Sequence, residues 1–547
     1  MSRIPRKDRC VARAPRGGRD STRVDSAAQE ALRSPLDREA ILARLSTDRF
    51  DVAIIGGGIN GAAIARDAAM RGLKVALIEK GDFAGATSSR SSKLIHGGLR
   101  YLPQGHLRLV YQALRERERL SRVTAPHLVR PIRFVMPFFR SRRPSHYAIR
   151  VALTLYDFMA RIPPMDRHQH LTATEVVKLE PGLRTEGLVG GASYADASGD
   201  DARLTLENLI DSAAHGAAIL NYAALESLGP SAPYRSLAAR DLPSGERFDL
   251  SARAVVNAAG PWVDDIRRID DPTCTPLTRL TKGVHLIVPA LRLPVRNPLV
   301  LSDRAGRIIF VIPLDGYVMI GTTDTDFAGN REKVPVEPAD VEYLLGIVNE
   351  AIPEAAVAAV DVAYGLAGLR ALPRSGGGGV PSSVPREELI TVSPTGLVTI
   401  AGGKLTTHRA IAEAVVDRLV KRLAMSVRPC ATRTTPLPGA RPIGKDWGPS
   451  DEVWTGMPAS IRITLQTRYG TRASLVARLA AERPELAKPL MPGASIIGAE
   501  VVFAARYELA RTVDDFLVRR TALSWRTPAV AALAAPAVER VLAAEFG

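Results

Sequence analysis

Residues 50–80 read FDVAIIGGGINGAAIARDAAMRGLKVALIEK and carry the strongest structural signal in the chain. They begin with a short apolar run, Phe50–Ile55, which is typical of a buried parallel strand. A glycine turn follows at once, then a helical stretch over Ile59–Arg71 that ends at Gly72, and then a second apolar run, Lys74–Ile78. This order predicts the first strand–helix–strand unit of a parallel α/β sheet.

The turn fits the pattern GxGxxG, and each of its glycines has a separate physical reason. Gly56 permits a tight turn, and Gly58 lets the backbone approach a pyrophosphate at the N-terminus of the helix. Gly61 allows the helix to pack closely on the strand. Glu79, which lies 23 positions after Gly56, can accept hydrogen bonds from a ribose diol. The sequence therefore predicts a dinucleotide site, but this pattern does not say which dinucleotide binds.

Three further segments indicate a long cofactor that lies extended across the edge of the sheet. Residues 85–93, GATSSRSSK, are dense in hydroxyls and small side chains. A strand at Ala254–Ala259 ends in Gly260, and a strand at Thr399–Ala401 ends in glycines before a helix over Leu405–Leu423. A helix start aimed at a flavin ring would stabilise negative charge on the reduced ring. We therefore expect these segments to return to the same cofactor.

Composition narrows the class of protein. The chain has 547 residues, of which 46% are hydrophobic and 24% charged, as is ordinary for a globular protein with a sizeable core. Disorder as the main state is excluded, because enough apolar surface is available to offset the ordering entropy. The three cysteines are far apart and form no CxxC pair, which excludes a disulfide scaffold and leaves zinc ribbons and iron–sulfur clusters without ligands. We predict no metal site.

The formal net charge of +16 is concentrated in two segments. Residues 1–23 contain eight Arg or Lys against two Asp, and residues 104–150 contain eleven Arg against two Glu. The partners to consider are nucleic acid, an anionic membrane surface or an acidic protein. No nucleic-acid-binding module is recognisable, so we expect no nucleic-acid partner.

The segment 104–150 interleaves Arg with bulky apolar side chains. Such a mixture suits contact with the head groups of an anionic membrane, and it suits a solvated basic face over a buried core strand equally well. Both alternatives stay open on the residues alone. No run of about 18 uncharged apolar residues occurs, so no membrane-spanning helix is predicted.

The chain divides into three parts by composition and pattern. Residues 1–36, rich in Arg, Pro, Gly and Ser, are predicted to form a disordered basic arm. Residues 37–436 hold the strands and turns described above. A Pro-rich stretch then leads into residues 437–547, whose periodicity predicts a helical C-terminal domain. Its predicted helices are Ala459–Tyr469, Ser474–Glu482, Gly498–Arg520 and Pro528–Phe546.

Several motifs occur in the order and spacing of one enzyme family: GGGINGAAIARDAAMRGLKVALIEK, ATSSRSSKLIHGGLRYL, NAAGPWV, IGTTDTD, GLR and GGKLTTHR. Over about residues 48–435, the chain resembles the FAD-dependent glycerol-3-phosphate dehydrogenases of the D-amino-acid-oxidase-like superfamily. The resemblance implies an α/β fold, in which a Rossmann-like FAD domain is interleaved with an antiparallel-sheet (α+β) substrate domain and followed by the helical C-terminal domain. It also implies non-covalent FAD, because no Cys falls in the superfamily's attachment context.

The resemblance further implies the reaction. Glycerol 3-phosphate would be oxidised to dihydroxyacetone phosphate by hydride transfer from C2 to FAD, and the electrons would pass to a membrane quinone. Such an enzyme would be cytoplasmic and peripheral on the inner face of the cell membrane, with segment 104–150 on the anionic surface. The alternatives are an oxidase that uses oxygen, a flavoprotein that oxidises a related small substrate, and a non-enzymatic flavin-binding tether. A homodimer stays open as the assembly.

The matched motifs assign roles to individual residues. A phosphate dianion needs cationic side chains, and a hydroxyl proton needs a base whose pKa is near the working pH. The resemblance places the catalytic residues at His96 and Arg370. The substrate-binding residues it implies are Arg100, Tyr101, Arg386, Lys404 and Thr323. The predicted cofactor-binding residues are Gly56, Gly58, Gly61, Glu79, Lys80, Thr87, Ser88, Ser89, Ser92, Lys93, Gly260, Gly403, Leu405 and Thr406.

Three positions depart from the family pattern. Ala371 stands where Pro usually follows the arginine of GLR, and His408 replaces the usual Tyr of GGKxTTYR. Leu314 stands where Trp often follows an Ile-Pro pair. None of these changes removes a charged residue from the expected pocket, so they bear on the fit of the substrate more than on the class of reaction.

Overall fold

The computed structural model describes residues 26–102, 105–140, 146–160, 167–230, 233–374, 388–441 and 451–546. Their strands form two sheets, and a helical region follows at the C-terminal end. In chain order the strands are β1 (Arg49–Ile55), β2 (Val75–Ile78), β3 (Leu94–Ile95), β4 (Val129–Phe139), β5 (Gln169–Leu171), β6 (Leu188–Gly199), β7 (Ala218–Leu220), β8 (Ala223–Leu228), β9 (Arg235–Asp241), β10 (Arg247–Asn257), β11 (Thr278–Pro289), β12 (Leu299–Ser302), β13 (Ile308–Pro313), β14 (Tyr317–Gly321), β15 (Thr325–Asp326), β16 (Tyr364–Pro373), β17 (Glu388–Val392) and β18 (Val398–Gly402). The α-helices are α1 (Ser26–Ala31), α2 (Arg38–Thr47), α3 (Ile59–Met70), α4 (Leu107–Arg119), α5 (His146–Ala160), α6 (Ala173–Leu179), α7 (Asp201–Ala214), α8 (Val263–Asp270), α9 (Pro338–Ala351), α10 (His408–Leu423), α11 (Ala459–Tyr469), α12 (Ala473–Glu482), α13 (Gly498–Glu508), α14 (Leu523–Arg526) and α15 (Pro528–Phe546).

The first sheet contains the predicted dinucleotide fold. Its order is β17-β18-β10-β1-β2-β7, and β9 and then β8 extend from β10. β1 pairs in parallel with β2 and β10, and β10 pairs in parallel with β18. Helices α2, α3, α7 and α10 share a hydrophobic core with these strands, which explains why β1 and β2 read as continuous apolar runs. The Rossmann-like part of the predicted fold is confirmed.

The predicted elements of this unit lie close to the observed ones. The runs Phe50–Ile55 and Lys74–Ile78 correspond to β1 and β2, and the predicted helix corresponds to α3. The strand predicted at Ala254–Ala259 is longer than expected, since β10 begins at Arg247. Its first half pairs antiparallel with β9. The apolar residues Phe248, Leu250 and Ala252 alternate there with polar ones, which is a strand pattern that the prediction did not use.

The second sheet is the predicted antiparallel one. Its order is β15-β11-β14-β13-β12-β4-β6-β3, with β16 paired to β11 and β5 paired to β6. Every described pairing in this sheet is antiparallel except that of β4 with β12. Its strands alternate along the chain with those of the first sheet, which confirms the interleaved architecture. Helix α9 packs on β11 to β14 and completes a second core.

Segment 104–150 divides into helix α4, strand β4 and the beginning of helix α5. β4 runs between β6 and β12 inside the second sheet, and its Phe134 and Phe138 are buried. The interpretation as a buried core strand is therefore correct for residues 129–139, and their aromatic side chains contact protein and not lipid. The exposed apolar side chains of this region lie on α4 and α5 instead.

Part of the predicted disordered arm is ordered. Residues Ser26–Ala31 form α1, whose Ala28 is buried and which contacts α7. The backbone N–H of Leu36 donates a hydrogen bond of 2.8 Å to the carbonyl of Arg506 in α13. The prediction of disorder is therefore wrong for residues 26–36, because contacts with distant helices order a segment whose local composition favours disorder. Residues 1–25 lie outside the described part of the chain.

The C-terminal region is helical, as predicted. The predicted helices Ala459–Tyr469 and Pro528–Phe546 coincide with α11 and α15. The single predicted helix over Gly498–Arg520 is wrong: α13 ends before Leu509, which has φ of 54°, and a separate π-helical turn spans Asp515–Arg520. After this break, Arg520 lies next to Asp82, which follows β2, and Arg520 Nη1 is 2.6 Å from a carboxylate oxygen of Asp82. The C-terminal domain is thus tied to the loop that follows β2.

Candidate active site

A cavity of about 660 Å³ lies between the two sheets. One wall is formed by the carboxyl ends of β1, β2 and β18 and by the residues that follow β10. Open α/β sheets bind their ligands at this edge. The opposite wall is formed by side chains of the second sheet, from β4, β6, β11, β13 and β16.

The glycine turn brings bare backbone to the cavity. Gly56 has φ of 111°, and a Cβ at this position would lie 2.6 Å from the carbonyl oxygen of Ala258. A Cβ at Gly61 would lie 1.9 Å from the carbonyl oxygen of Gly56, so Gly61 serves the packing of α3 behind the turn. Gly56 and Gly58 line the cavity together with Ile59 in the first turn of α3. This arrangement fits a pyrophosphate at the positive end of the helix.

Glu79 lies directly after β2 and stabilises the glycine turn. Its carboxylate accepts hydrogen bonds from the backbone N–H groups of Gly57 at 2.7 Å and Gly81 at 2.9 Å. Burial raises the pKa of the Glu79 carboxyl. Because each carboxylate oxygen has two lone pairs, Glu79 keeps acceptor capacity toward the cavity that it lines, which fits a ribose diol.

Lys80 lies beside Glu79 on the rim of the cavity. It forms an ion pair with Glu332, and its Nζ lies 4.2 Å from the ring centre of Trp262. The neighbouring Arg331 donates a hydrogen bond of 3.0 Å to the carbonyl of Pro261. The segment between β15 and α9 therefore reaches across to the dinucleotide domain. Arg331 and Glu332 line the cavity but were not predicted, because they are isolated charges outside any motif.

Four hydroxyl residues of loop 85–93 line the cavity: Thr87, Ser88, Ser91 and Ser92. Ser88 Oγ accepts a hydrogen bond of 2.9 Å from the backbone N–H of Ile59. Thr87 Oγ1 donates a hydrogen bond of 2.6 Å to the carbonyl of Leu369 on β16. The loop thus links the start of α3 to the second sheet.

Two other predicted cofactor residues of this loop, Ser89 and Lys93, lie behind the cavity wall, and their contact with the cofactor stays a prediction. Ser89 is buried, and its hydroxyl donates to the carbonyl of Ala86 at 3.3 Å. Lys93 is buried in an ion pair with Asp201 of α7 at 2.6 Å, and its Nζ lies 4.7 Å from the ring centre of Trp525. These side chains point into the protein and anchor the loop, while their neighbours face the cavity.

The two return segments also reach the cavity, as predicted: Gly260, Gly403, Leu405 and Thr406 all line it. Gly260 has φ of 54° and Gly403 has φ of 87°, both in the left-handed region that favours glycine. At Gly260 and at Gly403, as at the glycine turn, the chain therefore faces the cavity with backbone alone. A short 3₁₀ turn, Leu405–Thr407, leads from there into α10.

His96 lies on the cavity wall just after β3, where its backbone contacts Thr406, one of the predicted cofactor-binding residues. The Thr406 hydroxyl accepts a hydrogen bond from the His96 backbone N–H and donates one to the His96 carbonyl, both at 3.2 Å. The predicted base is thereby held against the turn that begins α10.

Two cationic side chains, Arg370 and Lys404, line the same cavity as His96. Arg370 of β16 donates to Asp324 at 3.2 Å and to the hydroxyl of Thr322 at 3.0 Å. The Lys404 ammonium lies 4.0 Å from the ring centre of Tyr101. A buried cavity wall with an Arg and a Lys suits an anionic ligand.

Neither Tyr101 nor Thr323 lines this cavity, as the described residues form it. Thr323 lines a separate cavity of about 670 Å³ together with residues of β15 and α9, and the substrate-binding role of both residues stays a prediction. Tyr101 is buried beneath Lys404 among apolar side chains of α4 and α5. Thr323 accepts a hydrogen bond of 2.9 Å from the N–H of Val284, and its carbonyl accepts from Arg370 at 3.3 Å. Tyr101 thus contacts the ammonium of Lys404, and Thr323 contacts the guanidinium of Arg370.

Two other predicted cations lie outside the described part of the structure. These are the side chain of Arg100 and the whole of Arg386, which falls within residues 375–387. Their role in substrate binding stays a prediction.

His285 of β11 is a cavity residue that the motifs did not indicate. Its Nε2 lies 2.8 Å from Oγ of Ser92, which lines the cavity as predicted. Burial, together with the positive charges of Arg370 and Lys93, lowers the pKa of His285 to about 3. The imidazole is therefore neutral near neutral pH. A single His among the apolar residues at the end of β11 carries no signal that could have identified it.

Two further charged residues reach the cavity from distant parts of the chain. Asp196 of β6 forms an ion pair with Arg117 of α4 at 2.8 Å. Arg519 of the C-terminal domain pairs with Asp82 and, at 2.6 Å, with Asp515. Neither position belongs to a local motif, so only the tertiary structure brings them to the site.

The comparisons with known proteins define the class first. Residues 51–418 match the family described as FAD dependent oxidoreductase, and residues 430–547 match the C-terminal domain of alpha-glycerophosphate oxidase. The chain is thus a member of the FAD-dependent oxidoreductases, and FAD is its cofactor. The extended cavity, with backbone at the pyrophosphate position and Glu79 at the ribose position, fits that cofactor.

Individual relatives narrow the family. The aerobic glycerol-3-phosphate dehydrogenase of Staphylococcus haemolyticus is 35% identical over 504 residues, which is 89% of each chain. The glycerol-3-phosphate dehydrogenase of Synechocystis is 37% identical over 496 residues, 87% of this chain and 89% of that one. The structure of the Bacillus halodurans glycerol-3-phosphate dehydrogenase complexed with FAD has a TM-score of 0.77 and 31% identity, covering 94% of both chains. The chain belongs to the FAD-dependent glycerol-3-phosphate dehydrogenase family.

Proposed function

We propose that the protein oxidises sn-glycerol 3-phosphate to dihydroxyacetone phosphate with FAD, and that a membrane quinone takes up the electrons. The observation that carries the proposal is that His96, Arg370 and Lys404 line the same cavity as the dinucleotide turn. The curated relatives from Staphylococcus haemolyticus and Synechocystis, which are named glycerol-3-phosphate dehydrogenases, support the choice of substrate.

The phosphate of this substrate needs cations held in a compact space. Arg370 supplies a positive guanidinium toward the phosphate, and Lys404 adds a compact positive charge. The Asp324 carboxylate, 3.2 Å from Arg370 Nη1, holds the guanidinium in one orientation. An ordered guanidinium loses less conformational entropy when it binds the phosphate.

Oxidation of a secondary alcohol removes a hydride from C2 and a proton from its hydroxyl, and leaves a carbonyl. Bound FAD supplies an acceptor for the hydride. His96 takes the hydroxyl proton on an imidazole nitrogen, and Thr406 holds the His96 backbone in place. Arg370 and Lys404 stabilise the negative charge that develops on the oxygen as the proton leaves.

A steady-state assay with an artificial dye as electron acceptor tests the substrate. We expect dihydroxyacetone phosphate to form in step with dye reduction. We also expect kcat/KM for glycerol to be at least about 10²-fold lower, because glycerol leaves the buried cations without a partner. Equal kcat/KM for glycerol and sn-glycerol 3-phosphate would contradict the phosphate role of the two cations.

Reduction of a quinone requires approach to a membrane, and the exposed faces of α4 and α5 support such an approach. On α5, Val151 is 71% exposed and Phe158 is 81% exposed, and on α4 Leu107 and Tyr111 are exposed as well. Exposed Arg side chains such as Arg150 surround them. Apolar side chains beside Arg suit the head-group region of anionic lipid. Among the described helices, none is both long and apolar enough to cross a membrane, so we propose peripheral contact on the cytoplasmic face.

Sedimentation with liposomes that contain anionic lipid tests this surface. We expect the protein to sediment with them at low salt and Phe158→Ser to weaken that binding, because a large exposed ring no longer enters the interface. Leu291→Ser is the matched control, since Leu291 is 95% exposed on a different loop. Equal binding of both variants would contradict a contact through α5.

The electron acceptor needs a separate comparison. We expect the reduced enzyme to transfer electrons to a short-chain quinone analogue faster than to oxygen. The reverse order would favour the oxidase alternative, which has the same substrate and the same fold.

A further inference from the structure

The inner faces of α4 and α5 contact the chain segment that carries the proposed base. That segment, residues 96–101, follows β3 and includes His96 and the buried Tyr101. Side chains of both helices form one apolar cluster with Tyr101. At the centre of the contact, the backbone N–H of Gly97 donates a hydrogen bond of 2.9 Å to the hydroxyl of Tyr156 on α5.

The Tyr156 hydroxyl is itself held by charged groups. It donates a hydrogen bond of 2.8 Å to one carboxylate oxygen of Asp196 on β6. The other carboxylate oxygen accepts from Arg117 Nη1 of α4, also at 2.8 Å. Arg117, Asp196 and Tyr156 are all buried, so the three side chains form a continuous polar chain from α4 to the backbone beside His96.

Packing leaves the segment no room to move toward the helices. A Cβ at Gly97 would lie 2.4 Å from Cδ2 of Leu114 on α4 and 2.6 Å from the Tyr156 hydroxyl. Gly97 is therefore pressed against both helices, while the Thr406 hydroxyl holds His96 from the other side. The position of the His96 backbone is therefore set by contacts on both sides.

The energetic importance of the Tyr156 hydroxyl follows from burial. Without it, the Gly97 N–H and one oxygen of Asp196 would both lose a partner in a site away from water. A buried polar group that loses its hydrogen-bond partner destabilises the folded segment, and a charged group does so more strongly. The segment can recover part of that cost only by shifting, and a shift of about 1 Å near the reacting atoms can lower a rate by about 10²-fold.

We propose that Tyr156, backed by Asp196 and Arg117, is a positioning residue that fixes the catalytic segment for proton transfer to His96. The inference rests on the proposed role of His96 as the base. Tyr156 itself is completely buried and acts through the Gly97 backbone. Arg370 lies on β16 and has no described contact with this chain of hydrogen bonds, so its binding of the phosphate does not depend on it. Lys404 contacts the segment at the ring of Tyr101, which the change at Tyr156 does not remove.

Anaerobic reduction of the bound flavin by sn-glycerol 3-phosphate, followed in a stopped-flow instrument, tests the proposal with Tyr156→Phe. This change removes one hydroxyl and keeps the ring. We expect the limiting rate per bound flavin to fall by about tenfold or more, while the half-saturating substrate concentration stays within about threefold of wild type. A purely structural role would instead lower the flavin content and the unfolding temperature and leave the rate per bound flavin unchanged.

Tyr343→Phe is the matched control, because Tyr343 also donates a hydrogen bond of 2.8 Å to an aspartate, Asp303, but lies on α9. We expect its limiting rate to equal that of wild type. A rate for Tyr156→Phe within about twofold of wild type, or a change confined to half-saturation, overturns the inference. Failure of the wild-type flavin to be reduced is a different result, and it overturns the proposed function.

A second variant keeps the test decisive if Tyr156→Phe loses its flavin. Asp196→Asn leaves an oxygen that can accept from the Tyr156 hydroxyl but removes the negative charge next to Arg117. We expect its limiting rate per bound flavin to fall by about threefold or more, and a rate equal to wild type overturns the proposal.

Discussion

Two walls enclose the cavity, and they differ in whether backbone or side chains face the ligand. At the dinucleotide turn, the wall is mostly backbone: Gly56, Gly58 and Gly403 approach the ligand without side chains. The second wall, away from this turn, includes charged side chains such as Arg370 and Lys404, supplied by strands and turns that are distant in sequence.

This difference has physical consequences. A backbone wall depends on close packing and on particular φ values, so a single added carbon changes its shape. A wall of charged side chains depends on buried partners, such as Asp324 for Arg370, that hold each charge in one orientation. Substitutions should therefore affect cofactor retention at the first wall and rate at the second.

The largest effect is expected at the backbone wall. Gly61→Ala places a Cβ 1.9 Å from the carbonyl oxygen of Gly56, which forces α3 away from the turn. We expect the purified variant to retain almost no FAD, as measured by the ratio of flavin to protein absorption. Gly346→Ala in α9 is the control, because no atom lies within 4 Å of its added Cβ and Ala favours a helix by about 0.5–1 kcal/mol. Full flavin content in Gly61→Ala would contradict the packing role of this glycine.

The next largest effect is expected at the charged wall. His96→Ala should keep FAD and lower kcat by about 10²–10⁴-fold, because the hydroxyl proton loses its acceptor. Steady-state kinetics with a dye acceptor measure the change, and the exposed His170 provides the control variant His170→Ala. A kcat for His96→Ala within about twofold of wild type would show that another group is the base.

A smaller effect is expected where the C-terminal domain joins the backbone wall. Arg520 is fully buried, and its Nη1 and Nη2 lie 2.6 and 2.8 Å from the two oxygens of Asp82. Arg520→Met should lower the free energy of unfolding by about 3–5 kcal/mol, because Asp82 keeps a buried charge with fewer partners. The solvent-screened pair of Arg292 and Asp361 gives the control, since Arg292→Met should lower the free energy of unfolding far less. Similar losses in the two variants would contradict the role given to burial.

The smallest effect concerns acid stability. His408 is buried, its Nδ1 lies 2.7 Å from the carbonyl of Leu405, and burial lowers the pKa of His408 to about 4. Between pH 6.5 and 4 the unfolded chain binds a proton that the folded chain does not, so stability falls as the pH falls, by at most about 1.4 kcal/mol per pH unit. His408→Asn, whose amide can replace the Nδ1–H donor, should lose about 2 kcal/mol less than wild type between pH 7 and pH 5.

His215 provides the opposite sign for comparison. Burial opposes its charge, but the hydrogen bond with Asp211 and the attraction to its carboxylate raise the pKa of His215 overall. Its contribution is present below pH 6.5 and is lost as the pH rises through the folded pKa. His215→Asn should therefore lose more stability than wild type on acidification. Parallel pH curves for the two His variants would contradict both assignments.

The backbone wall could be predicted from sequence because its signal is local. The strand, the glycines and Glu79 lie within 30 residues, and each glycine has a steric reason that is independent of the rest of the fold. The bounds of β1, β2 and α3 followed from apolar periodicity for the same reason. The burial of the Ser89 and Lys93 side chains could not be predicted, because residue type does not show which side of a loop faces the cavity.

The charged wall could be predicted only through family motifs, and only in part. His96, Arg370 and Lys404 lie in recognisable motifs, but His285, Asp196 and Arg519 do not. Each of these three is a single polar residue in an element whose local pattern is ordinary. Its position depends on pairing between distant strands or on the break after α13, which sequence periodicity does not encode.

The central claim is that one cavity joins the bound FAD to a phosphate-bearing alcohol, and its most direct measurement is anaerobic reduction of the purified flavoprotein. The account predicts that sn-glycerol 3-phosphate bleaches the flavin absorption band without any other acceptor, and that glycerol at the same concentration does not. A flavin band that stays unchanged under saturating sn-glycerol 3-phosphate, in a protein that holds its full content of FAD, would contradict the account.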